Sequence, residues 1–205
     1  MYFALVFYPQ LDTGLMESID EVRRKYDPTV GWSKTHITVI FPVPDTVGEE
    51  RLVSHIECVL SDWKPFVVRL GGFHKSHDHW LFLNVLEGED EFKTLYRNFY
   101  TGILEEYRRD DIEFVPHVGL GLFVKDDSRY DWDHPQEADF NRPKYEEALR
   151  QAKALPLESS CMMDTLHLMS IPDEVLEWAT GKRANVPNGI QNTELREFYL
   201  GDRDA

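Results

Sequence analysis

Two short segments of this sequence carry a histidine in a setting that could do chemistry. The first reads Thr35-His36-Ile37-Thr38-Val39-Ile40-Phe41, and the second Pro116-His117-Val118-Gly119-Leu120-Gly121-Leu122-Phe123. Both are rich enough in apolar residues for strands, whose side chains alternate between two faces. His36 and Thr38 then share one face, with Ile37, Val39 and Phe41 on the other. His117, Gly119 and Gly121 share a face opposite Val118, Leu120 and Leu122. Each strand thus offers an oily face to a core and an imidazole to the opposite side. Two imidazoles across a groove suit phosphodiester chemistry. A neutral one takes the proton of an attacking hydroxyl or water, and a protonated one delivers a proton to the leaving oxygen. An unperturbed pKa of about 6.5 lets both forms coexist at neutral pH. A hydroxyl two residues after the histidine lies alongside it and can donate to a non-bridging phosphate oxygen.

His-x-Thr/Ser flanked by hydrophobics and occurring twice, here with the histidines 81 positions apart, resembles the mark of the 2H phosphoesterases. The relatives it is most similar to are the LigT-like 2'-5' RNA ligases and cyclic phosphodiesterases. The resemblance runs from the opening strand through Asp164-Thr165-Leu166-His167-Leu168, and the stretch 68–99 is similar to the family's linker between motifs. It implies an α+β fold, with two similar lobes of mainly antiparallel sheet and outer helices around a central groove. It implies a single bilobal domain over 1–205, no metal and no cofactor. Family members cleave 2',3'-cyclic phosphates or join and cleave 2'-5' RNA linkages, which implies a small nucleotide or short RNA end as partner. His36, Thr38 and His117 carry over as catalytic residues. The second motif departs from the family, because Gly119 supplies no hydroxyl. Strand glycine often marks close approach of a ligand, so Gly119 is read as a substrate-binding position. The alternative function is a nucleotide- or RNA-end-binding module that keeps the groove and has lost turnover.

The bulk properties agree with a small-substrate protein. Lys and Arg number 22 against 37 Asp and Glu, for a net charge of -15. Such a chain repels polyanions at long range, and a duplex-binding protein shows a basic stripe instead. Hydrophobic residues make up 42% of the 205, enough for a sizeable core and too many for disorder. No apolar run approaches the ~20 residues of a membrane span. Segment 1–9 lacks a basic n-region and a small-residue cleavage site, and reads as a strand. Cys58 and Cys161 have no metal-ligand spacing and read as buried reduced thiols, which suits a cytoplasmic location.

Around the motifs, periodicity predicts strands at 2–8, 35–41 (ended by Pro42 and Pro44), 66–73, 80–86, 114–124, 161–171 and 196–200. Helices are predicted over 14–25, capped by Asp12 or Thr13, and over 49–63, 91–109 and 143–154. Segment 174–180 is read as a hairpin partner of 161–171, and 185–192 as turns. Strand, helix and strand recur over 2–41 and 80–123, each copy with its histidine at the start of the last strand. This is a duplication of elements rather than of residues. His74, His77 and His79 read as a hydrated hairpin tip rather than a metal site. His55 is placed on a helix surface, and His167 in a strand without a catalytic role. Loop 125–143 is read as acidic and solvated, with Tyr130 and Trp132 as anchors. Base stacking by those rings is the alternative, with Lys125, Arg129 and Arg142 as cations that could meet phosphate. Lys34 is a weak candidate phosphate partner.

Overall fold

The computed structural model describes residues 1–127, 130–134, 138–157, 159–185 and 187–201. Eight strands form one antiparallel sheet: β1 (Tyr2–Phe7), β2 (Ile37–Pro44), β3 (Phe66–Lys75), β4 (Trp80–Glu87), β5 (His117–Leu122), β6 (Ser160–Met163), β7 (Thr165–Ile171) and β8 (Thr193–Tyr199). Their order is β6-β3-β4-β5-β2-β1-β7-β8. The sheet falls into two four-stranded halves, joined between β2 and β5 by the single register pair Ile37↔Val118. The halves match in connectivity. β1-α1-β2 in one corresponds to β4-α3-β5 in the other, with α1 at Thr13–Tyr26 and α3 at Glu89–Phe99. The predicted duplication is therefore a pseudo-twofold axis running between Ile37 and Val118.

One face of the sheet is apolar because alternation makes it so. Leu5, Phe7, Ile37, Leu81, Leu83 and Val118 are buried there. They pack against Leu15 and Ile19 of α1, Leu52 and Ile56 of α2 (Glu49–Leu60) and Phe92 and Leu95 of α3. Ala148 and Ala152 of α4 (Arg142–Ala152) complete this core. Asp12 caps α1 by accepting from the Leu15 amide at 2.9 Å. The sheet curls until its ends approach. β6 and β7 are separated in sequence by Asp164 alone, yet pair toward opposite edges, and the Leu200 amide donates to the Asp164 carbonyl at 2.8 Å.

Several expectations are corrected. The run 161–171 is two strands rather than one. Segment 174–180 is helical, as α5 (Asp173–Ala179), with acidic residues in its first turn and Leu176, Trp178 and Ala179 buried. The 91–109 helix stops at Phe99 and resumes as a 3-10 helix over Gly102–Tyr107, the break lying at Gly102 with φ of 55°. Pro42 does not end β2, because register shifts between Phe3 and Leu5 leave it at an irregularity where no ladder N–H is needed. Cys58 is exposed, whereas Cys161 is buried as expected. His55 is half-buried, and its Nε2 lies 2.8 Å from the Phe99 carbonyl, tying α2 to α3.

A β-bulge follows each motif at the equivalent position. Val6 pairs with Thr38 but Leu5 with Ile40; Phe82 pairs with Gly119 but Leu81 with Gly121. One extra residue reverses the alternation. Phe41 therefore lines the groove, and Gly121 leaves the histidine face to meet α1. A Cβ at Gly121 would lie 2.5 Å from the Tyr26 Cβ and 2.9 Å from its backbone oxygen. Gly121→Ala is expected to cost about 1–3 kcal/mol by overpacking, read as a lowered urea midpoint.

Candidate active site

The opposite face of the sheet forms a groove of about 770 Å³, and His36, Thr38, His117 and Gly119 all line it. Ile37 and Val118, between them, are 0% and 1% exposed and point into the core. Counting antiparallel from that pair puts Thr38 across from His117 and Gly119 across from His36. The two imidazoles are thus diagonal neighbours, a relation that places Cβ atoms about 7–8 Å apart or slightly less.

Both rings are oriented by the same device. His36 donates from Nδ1 to the Lys34 carbonyl at 2.7 Å, and His117 from Nδ1 to the Val115 carbonyl at 2.6 Å. These bonds fix the Nδ1–H tautomer, so Nε2 is the atom left for the groove. It is the Lys34 backbone, then, that serves the site. The Lys34 ammonium lies 5.6 Å from the centre of the Tyr8 ring. The Thr38 hydroxyl has no hydrogen-bond partner among the described residues.

The loop before His36 hangs on a buried guanidinium. Arg23 of α1 is 2% exposed and pairs with Asp27 at 2.8 Å. It also donates to Thr35 Oγ1 at 2.9 Å and to the Ser33 carbonyl at 2.8 Å. With its donors so occupied, Arg23 positions the His36 segment rather than a substrate.

Withdrawal from water lowers the pKa of both histidines. His36 is lowered chiefly by burial, with the Lys34 carbonyl acting against it and the Arg23 charge with it. Burial pushes His117 down to about 4, and the charges of His36 and His74 act in the same direction. Two neutral imidazoles thus face the groove at neutral pH. An anion entering the groove favours the protonated form of either imidazole. Tighter binding of inorganic phosphate at pH 5.5 than at 8 is expected, with proton uptake seen as buffer-dependent heats in calorimetry. A depressed folded-state pKa means the unfolded chain binds the extra proton. Stability should therefore rise as the pH climbs from about 4 to about 6.5, by at most about 3 kcal/mol from His117. His117→Gln should flatten that rise in urea melts.

The surroundings hold residues that motif reading missed. Phe82 stacks on His117 with centroids 3.4 Å apart. His74 lines the groove and holds Asn84 Oδ1 at 2.7 Å through Nδ1. Register shows where it came from: His74 pairs with Phe82 as His167 pairs with Val6. His74 and His167 are therefore pseudo-equivalent, one strand outside each motif pair. Comparing strand registers between the halves is the signal that finds them.

The hairpin-tip histidines do not converge on one point. His77 lines the groove, and His79 Nε2 lies 3.0 Å from the Ala138 carbonyl. Among the described residues, ligand-type atoms gather instead at His167, Glu194 and Glu197, within 4.8 Å of one another and outside the groove lining. Tyr130 is 2% exposed, takes the Trp80 indole N–H at 3.0 Å and anchors its loop. Lys125 and Arg142 do not line the groove: Lys125 lies 3.5 Å from Asp139, and Arg142 stacks toward Phe140. Arg129 lies outside the described residues.

A Cβ at Gly119 would meet the Trp80 ring at 3.5 and 3.6 Å, ordinary contact distances. The position can therefore accept a side chain. Gly119→Ser is expected to place a hydroxyl near His36 and to raise kcat. A charge-assisted hydrogen bond realised only in the transition state corresponds to roughly 10- to 150-fold. A raised KM at unchanged kcat would show instead that the glycine makes room for substrate.

The curled antiparallel sheet, the outer helices and the paired motif strands are those of the LigT-like, 2H phosphoesterase class. The chain belongs to the 2'-5' RNA ligase superfamily, whose family model matches residues 11–173. Its fold is similar to that of E. coli LigT complexed with 3'-AMP, with a TM-score of 0.54 and 14% identity, covering 98% of this chain and 100% of that one. TT0787 of Thermus thermophilus matches with a TM-score of 0.54 and 15% identity over 98% of each chain. E. coli LigT complexed with phosphate gives 0.50 and 15%, over 98% of this chain and 96% of that one. No curated protein sequence matches. Among the described residues, no helix is long and apolar enough to cross a membrane.

Proposed function

We propose that this chain is a metal-independent phosphoesterase acting on a 2',3'-cyclic phosphate or on a 2'-5' or RNA-end phosphodiester. The observation that carries the reading is the pair of pseudo-equivalent imidazoles, each turned by a carbonyl two residues upstream so that Nε2 is left for one groove. In hydrolysis, the oxygen of a water attacks phosphorus and its proton passes to the neutral Nε2. The bond from phosphorus to the leaving ribose oxygen breaks, and that oxygen takes the proton of the other, protonated histidine. The Thr38 hydroxyl donates to a non-bridging oxygen as charge grows there. E. coli LigT, of similar fold, has been seen with 3'-AMP and with phosphate, which supports a nucleotide-sized substrate. In this reading the two halves work as one bilobal unit.

A second reading, a binding module without turnover, is favoured by Gly119, where Trp80 rather than a hydroxyl faces the strand. The test is a screen in EDTA of nucleoside 2',3'-cyclic phosphates and 2'-5' linked oligonucleotides, with His36→Ala as control. Turnover that survives chelation and needs His36 supports the enzyme. Binding of nucleotides with no turnover on any of them supports the module. Activity lost in EDTA and restored by a divalent metal would overturn the metal-independent mechanism.

A further inference from the structure

Lys125 stands out in the sequence as a cation that could meet phosphate, and the groove does not use it. It belongs to a second cleft, of about 320 Å³, where the end of α1, the end of β5 and the start of α4 come together. Three lysines line that cleft, Lys25, Lys125 and Lys144. Leu122 and Val124, both buried, add apolar lining. Asp27 lines this cleft and the groove alike, so the two share a wall.

Asp27 contributes that wall without a free charge. One of its carboxylate oxygens lies 2.8 Å from Arg23, and the other accepts from the Thr29 amide and hydroxyl at 2.7 Å each. Asp127 is the other carboxylate in the lining, and it is exposed. Among the lysines, Lys25 is held by Glu147 at 2.7 Å. Lys125 and Asp139 are 3.5 Å apart with side chains 63% and 80% exposed, a pair that holds neither partner firmly. The Lys144 ammonium has no ion-pair partner among the described residues. Three cations against one uncommitted carboxylate reverse the balance of the whole chain, with its 22 Lys and Arg against 37 Asp and Glu. Like charges gathered at a concave surface concentrate counter-ions there.

A lysine ammonium is a compact charge on a flexible stem, with three donors that meet phosphate oxygens without a fixed geometry. A strand that leaves the groove past Asp27 brings its next phosphates to this cleft. We propose that the cleft holds a backbone phosphate of a single-stranded RNA whose end occupies the groove. Lys125 and Lys144 make the contact, and Asp127 keeps it weak. The proposal rests on the phosphoesterase reading of the groove. It narrows the substrate to an RNA end with chain attached, rather than a free cyclic nucleotide.

The test is calorimetric binding to the intact chain of a nucleoside 3'-monophosphate, a short oligoribonucleotide with the same 3'-phosphate, that oligonucleotide without it, and inorganic phosphate. The phosphorylated oligonucleotide is expected to bind roughly 3- to 30-fold tighter than the mononucleotide at low salt, the range of two exposed charge contacts. Its affinity should also fall faster with salt, with a log–log slope steeper by about 0.7 for each phosphate held. Lys125→Gln with Lys144→Gln should remove both differences and leave mononucleotide binding unchanged. Lys153→Gln, at the far end of α4, should leave the oligonucleotide advantage in place. Equal affinity of mononucleotide and oligonucleotide would overturn the cleft's role while leaving the phosphoesterase reading standing. An advantage that survives the double variant, or that Lys153→Gln reduces as much, would overturn it in favour of chain-wide charge. Inorganic phosphate bound through the two lysines, with no oligonucleotide advantage, would overturn it in favour of a small free anion. Lysine-dependent binding of the oligonucleotide with or without its 3'-phosphate, and no turnover of any cyclic phosphate, would support the cleft and sink the phosphoesterase reading.

Discussion

Alanine at His117 is expected to lower kcat/KM by at least about 10²-fold, and alanine at His36 by a comparable factor. General acid–base catalysis contributes roughly 10²–10⁴-fold, and each histidine is the sole imidazole its motif turns to the groove. In the proposed mechanism the two act on one proton cycle, so the double variant should be little slower than either single one. Fold and stability should survive both changes, because the rings lie on the groove face and not in the core. For His117→Ala, stability near pH 5 should even rise, since the depressed imidazole no longer opposes folding there. Steady-state kinetics on a cyclic phosphate with urea melts on the same samples would separate the effects. A variant at either position that keeps kcat/KM within a few-fold of the parent would remove that histidine from the mechanism.

The second large effect is on stability. Arg23→Ala leaves Asp27 as a buried carboxylate with its cation gone, and strips Thr35 and the Ser33 carbonyl of their donor. Breaking a buried pair from one side costs about 3–5 kcal/mol, which at this chain length lowers Tm by roughly 6–20 °C. Arg23→Lys should recover little, because one ammonium cannot serve three acceptors in fixed directions. Activity of the fraction still folded is the second readout. Loss of the anchor should lower kcat more than it raises KM, as Ser33–Thr35 lead directly into His36. If Arg23→Ala melted like the parent, the buried pair would be ornamental and the role given to it wrong.

The placement of the two motifs was the most legible part of this sequence. Alternation alone put His36 with Thr38 and His117 with Gly119 on the face opposite Ile37 and Val118, and all four line one groove. Helix α1 was legible because Asp12 carries its cap and Leu15, Ile19 and Val22 its buried stripe. What failed to show was anything a single inserted residue controls. The bulges at Val39–Ile40 and at Leu120 use ordinary apolar side chains, so nothing in composition marks them. Yet they turn Phe41 into the groove and Gly121 out of it. Asp164 breaks one apolar run into strands serving two ends of the sheet, a decision made by curvature and not by local propensity. Helix α5 was missed although Asp173 and Glu174 mark its first turn. Its β-branched and aromatic residues imitate a strand, and tertiary burial of Trp178 overrides that preference.

The near-twofold frame has a consequence for direction. A phosphodiester has two ends, and a symmetric cradle would grip it either way round with equal ease. Here the scaffold repeats while the furnishings do not. On one half the groove is lined by Thr38 and Tyr8; on the other by bare Gly119 with Trp80, Phe82 and His74. On the proposed mechanism such a groove would seat its substrate in one sense only, as a one-way street does. Which imidazole meets the leaving oxygen would then be decided by the walls that seat the flanking groups and not by the two histidines, which the backbone holds alike.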